Sequence, residues 1–174
     1  MSTCLVGSEM CIRDSTFTAS TGVLTGTPTN SEVGNHAVVI TATDAAGATV
    51  TDSYVITVAN TNDAPTVASA IADVTNAEDA AYSLSVSGMC ADVDAGDSLA
   101  YTIAGAPSTI TISGTTISGT PVNADVGTHT ITVTCTDDAG ATASDSYVLT
   151  VTNVNDAPTV ASAIADASTN EDAA

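Results

Sequence analysis

The chain has 174 residues and is strongly acidic, with 20 Asp and Glu against a single Lys or Arg, so its formal net charge is −19. One cation cannot neutralise a row of phosphates, which excludes nucleic-acid binding, and an anionic membrane surface would repel the chain. No apolar run approaches the roughly 18 residues of a membrane span, which excludes direct membrane insertion of this segment. Because the hydrophobic fraction of 44% is too high for acidic disorder, we expect a folded chain whose charge is balanced by salt or bound divalent cations.

Residues 1–15 differ in composition from everything that follows. They hold the only Arg, Arg13, two of the four Cys and two of the three Met, and they lack the apolar stretch and cleavage site of a secretory signal. The string CLVGSEMCIRDS resembles a translated sequencing-adapter read-through, and we interpret the segment as non-native. A genuine N-terminal segment is the alternative. Residues 16–174 then contain 18 acids and no Lys or Arg.

The rest of the chain repeats itself at an offset of 93 residues. The string NTNDAPTVASAIAD at 60–73 returns with one difference as NVNDAPTVASAIAD at 153–166, and the same offset relates His36 to His129 and Tyr54 to Tyr147. We therefore divide it into the C-terminal half of one repeat (16–63), a complete repeat (64–156) and the start of a third (157–174). This organisation is typical of a fragment of a longer tandem array.

The complete repeat has the alternating pattern of half-buried β-strands. Apolar residues alternate with small polar ones over 82–86, 99–103, 131–135 and 147–151, and Gly and Pro fall between these runs. About seven short strands in a repeat of this size predict an all-β chain of tandem immunoglobulin-like β-sandwiches. We expect the half repeat either to stay disordered, to pair along an edge, or to borrow the opening strand of the third repeat from another copy.

Most of the acids fall in loops and linkers at the predicted strand ends. The groups are the linkers 60–65 and 153–158, the loops 92–97 and 137–140, and the pair Glu78–Asp79. Calcium takes six to eight oxygen ligands, and the D-x-D-x-G-D loop and the N-x-N-D linker offer carboxylate and amide oxygens with no cation nearby. Ordinary turn chemistry explains any one of these loops alone, whereas their joint occurrence at a strict spacing favours calcium binding.

These motifs together resemble bacterial cadherin-like repeats of the dystroglycan-type group, which are found in large surface and secreted adhesins. The resemblance rests on NxNDAP at the repeat boundary, TGVLTGTP at 21–28, TATDAAGA at 41–48, ADVDAGDSLAYTI at 91–103 and TCTDDAGA at 134–141. It covers essentially all of 16–174. It implies cadherin-like sandwiches with calcium ions between consecutive repeats, in a secreted or cell-surface protein.

The resemblance also implies a set of calcium ligands at each repeat junction. At the first junction these are Asn60, Asn62, Asp63, Asp92, Asp94 and Asp137. At the second junction they are Glu78, Asn153, Asn155 and Asp156. The linker begins with Asn where cadherins usually carry Asp, and Glu32 or Asp125 only approximates their acidic mid-repeat motif. Both departures imply fewer or weaker ions, with dissociation constants of about 10⁻⁴ to 10⁻³ M.

Cys90 and Cys135 each precede one of these ligands by two residues. If Asp92 and Asp137 share an ion, the two cysteines lie close together, which predicts a disulfide in an oxidising compartment. Two free thiols, with Cys135 as a small core residue, are the alternative.

The sequence predicts no catalytic site. His36 and His129 lie singly in separate repeats, which makes neither a zinc site nor part of a Ser-His-Asp triad, and 3% aromatic residues cannot line the cleft of a glycosidase. The main hypothesis is a calcium-rigidified spacer and adhesion module. Its partners would be calcium ions, adjacent repeats and cell-surface glycans or proteins. The alternatives are a carbohydrate- or protein-recognition module of a secreted protein, and a passive acidic linker.

Overall fold

The computed structural model describes residues 5–6 and 15–171, and in this part the regular structure consists of strands and two 3-10 turns, Asn30–Glu32 and Asn123–Asp125. The strands before residue 60 are β1 (Leu5–Val6), β2 (Thr16–Thr18), β3 (Val23–Thr25), β4 (Gly34–Thr43) and β5 (Thr49–Val58). Those after it are β6 (Thr66–Val67), β7 (Val74–Ala77), β8 (Tyr82–Ser85), β9 (Cys90–Ala91), β10 (Ala100–Ala104), β11 (Ile110–Ser113), β12 (Thr116–Gly119), β13 (Gly127–Thr136) and β14 (Thr142–Thr152). The all-β prediction is confirmed.

The complete repeat is a sandwich of a four-stranded and a three-stranded sheet. The first sheet has the order β10-β13-β14-β7 and the second β11-β12-β8, and β6 pairs with β9 beside them. The hairpin β13–β14 is the longest element, running from Gly127 opposite Val151 to Thr136 opposite Thr142. β10 pairs with the outer edge of β13, and β7 pairs with the outer edge of β14. The β7–β14 pair is parallel, whereas all other strand pairs of the described residues are antiparallel.

The core follows the alternation seen in the sequence. Successive side chains of a strand point to opposite faces, and the inward-facing set of the central hairpin is almost completely buried. Its members are Ile131, Val133, Cys135, Tyr147, Leu149 and Val151. Ile117 and Tyr82 pack against them from the other sheet. The hairpin thus forms a rigid base for the loops at its ends.

The two buried tyrosines join the sheets through their hydroxyl groups, which lie 2.8 Å apart. Burial raises the pKa of both Tyr82 and Tyr147, so both stay neutral. Each hydroxyl is the other's hydrogen-bond partner, which makes the pair a single polar unit in an apolar core.

We expect Tyr147→Phe to lower the free energy of unfolding by about 1–3 kcal/mol, because it leaves the Tyr82 hydroxyl buried without its partner. Tyr82→Phe should do the same. The double variant should lose much less than the sum of the two, because it removes both polar groups together. Urea unfolding of the four proteins measures this coupling, and strictly additive losses would contradict it.

The strands before residue 60 repeat the central hairpin, and β2 and β3 form a two-stranded sheet where the complete repeat has β11 and β12. β4 and β5 pair from Gly34 opposite Val58 to Thr43 opposite Thr49, the register of β13 and β14 shifted by 93. Tyr54, however, is 41% exposed where its counterpart Tyr147 is 1% exposed, because no counterpart of β8 covers this face within the described residues. The half repeat is therefore ordered, with β1 paired along β4, but its core is shallow.

Among the described residues, no helix has the length and apolar character to cross a bilayer. The interpretation of residues 1–15 as non-native falls mostly on residues outside the described part, as do residues 172–174 of the predicted third repeat.

Candidate metal centre

Three carboxylates of the loop between β9 and β10 converge at one end of the sandwich. One oxygen from each of Asp92, Asp94 and Asp97 lies within 4.8 Å of the other two. Asp94 is only 4% exposed, and the other two are half-buried. Calcium–oxygen distances of about 2.3–2.6 Å allow two ligands of one ion to lie about 5 Å apart. The three residues, called the acidic triplet below, therefore fit the first coordination shell of one ion.

The loop owes this shape to its own backbone hydrogen bonds. The Asp94 amide donates to Asp92 Oδ1 at 2.9 Å, and the Asp97 amide donates to the Asp94 carbonyl at 3.3 Å. Gly96 supplies the left-handed backbone, at φ 105°, that turns the chain back toward the triplet. A D-x-D-x-G-D sequence thus places its third acid beside the first two.

Each member of the triplet has a buried oxygen without a hydrogen-bond partner among the described residues. These atoms are Asp92 Oδ2, Asp94 Oδ1 and Asp97 Oδ2. Buried polar atoms are normally paired, and an unpaired buried carboxylate oxygen is costly. Three such oxygens in one loop are a donor set suited to a hard cation.

The electrostatics of the loop point the same way. Burial, followed by the neighbouring carboxylates of Asp92, Asp138, Asp94 and Asp137, raises the pKa of Asp97. After Arg13 the sequence contains no Lys or Arg that could offset this repulsion. The acidic end of the sandwich is therefore a region of uncompensated negative charge.

Asp137 lies in the turn between β13 and β14, and protein groups donate hydrogen bonds to both of its carboxylate oxygens. Its Oδ1 accepts the amides of Ala139 at 3.0 Å and Ala141 at 2.7 Å, and its Oδ2 accepts the Asn62 amide at 3.0 Å. The Asn62 hydrogen bond first, and then the backbone amides, lower the pKa of Asp137. The structure thus brings Asp137 to the linker, while its carboxylate lies outside the triplet.

The linker that precedes the complete repeat is fixed to this end of the sandwich. The Asp63 amide donates to Asp94 Oδ2 at 2.7 Å, and Asn30 from the preceding 3-10 turn donates to Asp63 Oδ2 at 2.7 Å. Asn60 is exposed, and its side chain makes no hydrogen bond in the described structure. Of the six ligands predicted for the first junction, all except Asn60 lie together.

The second junction contains a similar buried carboxylate. Glu78 is 1% exposed, its Oε1 accepts the Val154 amide at 2.7 Å, and its Oε2 is buried without a partner among the described residues. Asn123 donates to Asp156 Oδ2 at 2.9 Å, which repeats the Asn30–Asp63 contact. Glu78 thus reaches the linker between Asn153 and Asn155, both of which are exposed.

Sequence reasoning missed several residues of these sites. Asp97 was visible as the third acid of its loop but was not counted as a ligand. Asn30 and Asn123 hold the linker aspartates, and their equivalence at the offset of 93 was an available signal.

Glu32 and Asp125, expected to approximate a calcium motif, accept the backbone amides of Thr29 and Val122 and cap the 3-10 turns. The Val122 amide, followed by the Thr109 hydroxyl, lowers the pKa of Asp125.

A disulfide lies at the base of the acidic loops. Cys90 in β9 and Cys135 in β13 are bonded, with their Cα atoms 6.6 Å apart. The prediction of a disulfide is confirmed. It connects the strand that leads to Asp92 with the strand that leads to Asp137, and so fixes both loops to one covalent frame.

A family described as "Putative Ig domain" matches residues 16–59 and 64–152. The chain belongs to this family of Ig domains. Its curated relatives include the "Serine-rich adhesin for platelets" of Staphylococcus aureus strain MRSA252, 32% identical over 139 residues, which cover 78% of this chain and 10% of the adhesin. The homologue from strain MSSA476 has the same identity, with 6% of its length covered. The Ig-domain chain thus spans a tenth or less of these relatives.

The fold of these Ig domains is also that of cadherin repeats. Human mucin-like protocadherin EC1-2 has 15% identity and a TM-score of 0.66, covering 88% of this chain and 85% of that one. Protocadherin gammaB7 EC3-6 has 17% identity and a TM-score of 0.64, covering 90% and 41%. The cadherin-like resemblance is supported at the level of the fold, and the dystroglycan-type assignment stays a prediction. Similarity to an adhesin fits a secreted or cell-surface protein.

Proposed function

We propose that this chain is a calcium-binding spacer and adhesion segment of a large bacterial cell-surface or secreted protein. The observation that carries the proposal is the set of buried, unpaired carboxylate oxygens at both repeat junctions, three in the acidic triplet and one on Glu78. Calcium would supply the positive charge that offsets these carboxylates, and its preference for several oxygen ligands matches the donors present.

At the first junction, Asp94 connects the loop to the linker. Its Oδ2 accepts the Asp63 amide, while its Oδ1 belongs to the unpaired set. Asn62 and Asp63 are therefore held where their remaining oxygens can complete a coordination shell begun by the triplet. A loaded site would fix the linker to the sandwich more firmly than the hydrogen bonds alone.

At the second junction, Glu78 plays the corresponding role from the opposite end of the repeat. Its Oε1 accepts the Val154 amide, and its Oε2 is buried without a hydrogen-bond partner among the described residues. Asn153, Asn155 and Asp156 are the residues of the adjoining linker that would share an ion with it. Calcium at both junctions would convert a flexible chain of sandwiches into a stiff one.

The partners of such a segment would be calcium, the adjacent repeats and cell-surface glycans or proteins. The adhesin relatives and the cadherin-like fold support a non-enzymatic module of this kind. The adhesive contact would then depend on a stiff array that presents its binding surface at a fixed distance from the cell.

Titration calorimetry with calcium tests the proposal directly. We expect binding with dissociation constants of about 10⁻⁴ to 10⁻³ M, and weaker binding of magnesium, which demands a smaller octahedral site. Asp94→Asn should remove the first site and Glu78→Gln the second. Asp44→Asn, in the exposed turn between β4 and β5 that corresponds to the Asp137 turn, is the control and should titrate like wild type. A wild-type chain that gives no heat and no calcium-dependent change in stability would contradict calcium binding.

A further inference from the structure

In the complete repeat, residues 68–73, called the opening segment below, are held against the edge of β14 by two hydrogen bonds. Each side donates one of the two and accepts the other. The Ile71 amide donates to Asp145 Oδ2 at 2.6 Å, and the Val148 amide donates to Asp73 Oδ1 at 2.7 Å. Beyond this pair, β7 continues parallel to β14, from Val74 opposite Leu149 to Ala77 opposite Thr152. Charged acceptors make the stronger class of hydrogen bond, so this pair sets the register of the edge strand.

The half repeat carries the same acceptor edge, and no strand of the described residues pairs with its outer side. β5 corresponds to β14 and is the last strand of the sheet β1-β4-β5. Asp52 and Val55 stand where β14 has Asp145 and Val148, and Val55 is 61% exposed. Asp52 Oδ1 accepts its neighbour's amide, and in the described structure its Oδ2, the atom type that Asp145 uses for Ile71, makes no hydrogen bond.

The chain also carries a second copy of the opening segment. Residues 161–166 read ASAIAD, identical to 68–73, so Ile164 and Asp166 stand where the first copy has Ile71 and Asp73. This segment contains no strand in the described part of the chain, and Ile164 is 97% exposed. An occupant with the required donor, acceptor and spacing is therefore present in every copy of the protein.

We propose that the edge of β5 is a docking site for residues 160–170 of a second copy of this chain, added as a parallel strand. The Ile164 amide would donate to Asp52, and the Val55 amide would donate to Asp166. Ala167 would lie opposite Ile56 and Asn170 opposite Ala59, which is the register of β7 on β14. Strand addition of this kind uses main-chain hydrogen bonds for affinity and a few side chains for register.

The association is head-to-tail, because the donor segment and the acceptor edge lie at opposite ends of the sequence. Two copies that exchange the segment reciprocally close into a two-fold dimer, and otherwise the contact generates a larger ring or an open chain of copies. The net charge of −19 opposes the approach of two copies. Screening by salt should therefore strengthen association, contrary to the behaviour of a contact made by opposite charges.

Sedimentation velocity of the full chain, in chelator and at several salt concentrations, tests this proposal independently of calcium. We expect the average mass to rise with protein and salt concentration. Ile164→Pro lacks the amide that donates to Asp52, and Asp52→Ala removes its acceptor. Each should weaken association by about tenfold or more. A synthetic peptide of residues 157–171 should compete with it.

Two matched controls make the test specific. Ser162→Pro changes the same segment. The amide of its counterpart Ser69 donates to the Met89 carbonyl, and the acceptor edge has no equivalent of Met89. Association should therefore persist in this variant. Asp44→Ala removes the same charge as Asp52→Ala away from the edge and should also leave it intact. A chain that stays monomeric throughout, or an association that survives Ile164→Pro, would overturn the proposal. Protection of the Ile164 amide in a monomer would place the segment on its own chain and overturn it as well.

Discussion

Calcium at about 10 mM, a hundredfold excess over a dissociation constant of about 10⁻⁴ M, should raise the melting temperature of the wild-type chain by roughly 10–20 °C. A ligand at a hundredfold excess over its dissociation constant stabilises the folded state by about 2.7 kcal/mol, and in a domain of about 100 residues each kcal/mol shifts the midpoint by about 4–8 °C. The lean core, with aromatics at 3% of residues, makes this contribution a large part of the total stability. Scanning calorimetry with calcium and with chelator measures the shift.

The variant Asp92→Asn/Asp94→Asn should lose most of this shift while keeping the shape of the loop. In chelator it should be at least as stable as wild type, because two charges of the repulsive triplet have been removed. Asp44→Asn should respond to calcium like wild type. The double variant should thus be less stable than wild type in calcium but not in chelator. This difference distinguishes a metal site from a loop whose acids serve only the fold. Equal calcium responses in wild type and the double variant would refute the site.

Removal of the disulfide should have the second large effect. The bond between Cys90 and Cys135 closes a segment with a sequence separation of 45 residues, for which the chain-entropy estimate is about 4 kcal/mol. Cys90→Ala/Cys135→Ala should lose stability of this order in urea unfolding. Because the disulfide lies at the base of both acidic loops, the variant should also bind calcium more weakly in calorimetry.

The matched control for this experiment is Cys4→Ala/Cys11→Ala, which replaces the same number of cysteines in the N-terminal segment. It should unfold like wild type. Treatment with reductant should destabilise wild type and this control alike, and should leave Cys90→Ala/Cys135→Ala unchanged. A reductant effect that persists in Cys90→Ala/Cys135→Ala would contradict the assignment of the stabilising bond.

The strands and core could be predicted because they depend on local patterns. Alternation of Ile131, Val133 and Cys135 with threonines determines which face of β13 is buried, whatever surrounds it. The junction residues were harder to predict, because their role depends on where the backbone turns. Asp97 joins the triplet only because the turn at Gly96 returns it to Asp92, and a count of acids does not reveal that turn.

The linker shows why residue type alone did not identify every member of the site. Asn60 and Asn62 are the same residue two positions apart, yet Asn62 reaches Asp137 and Asn60 stays exposed. In an extended segment, a side chain's partner is set by the surface that the segment crosses. For Asn62 the partner on that surface is Asp137, 75 positions away along the chain, and a single sequence does not give its placement.

The parallel pairing of β7 with β14 has a mechanical consequence for a protein anchored at one end and pulled at the other. β7 follows β6 near the start of the complete repeat and β14 ends the repeat, so tension between the two ends of the repeat slides β7 past β14. Their hydrogen bonds are then loaded together in shear, and the two amide–carboxylate bonds at Asp73 and Asp145 share the load. Resistance to forced unfolding is governed by the rate of unfolding rather than by the equilibrium stability. A sandwich with a modest core can therefore withstand a pull that would unzip an antiparallel hairpin one bond at a time.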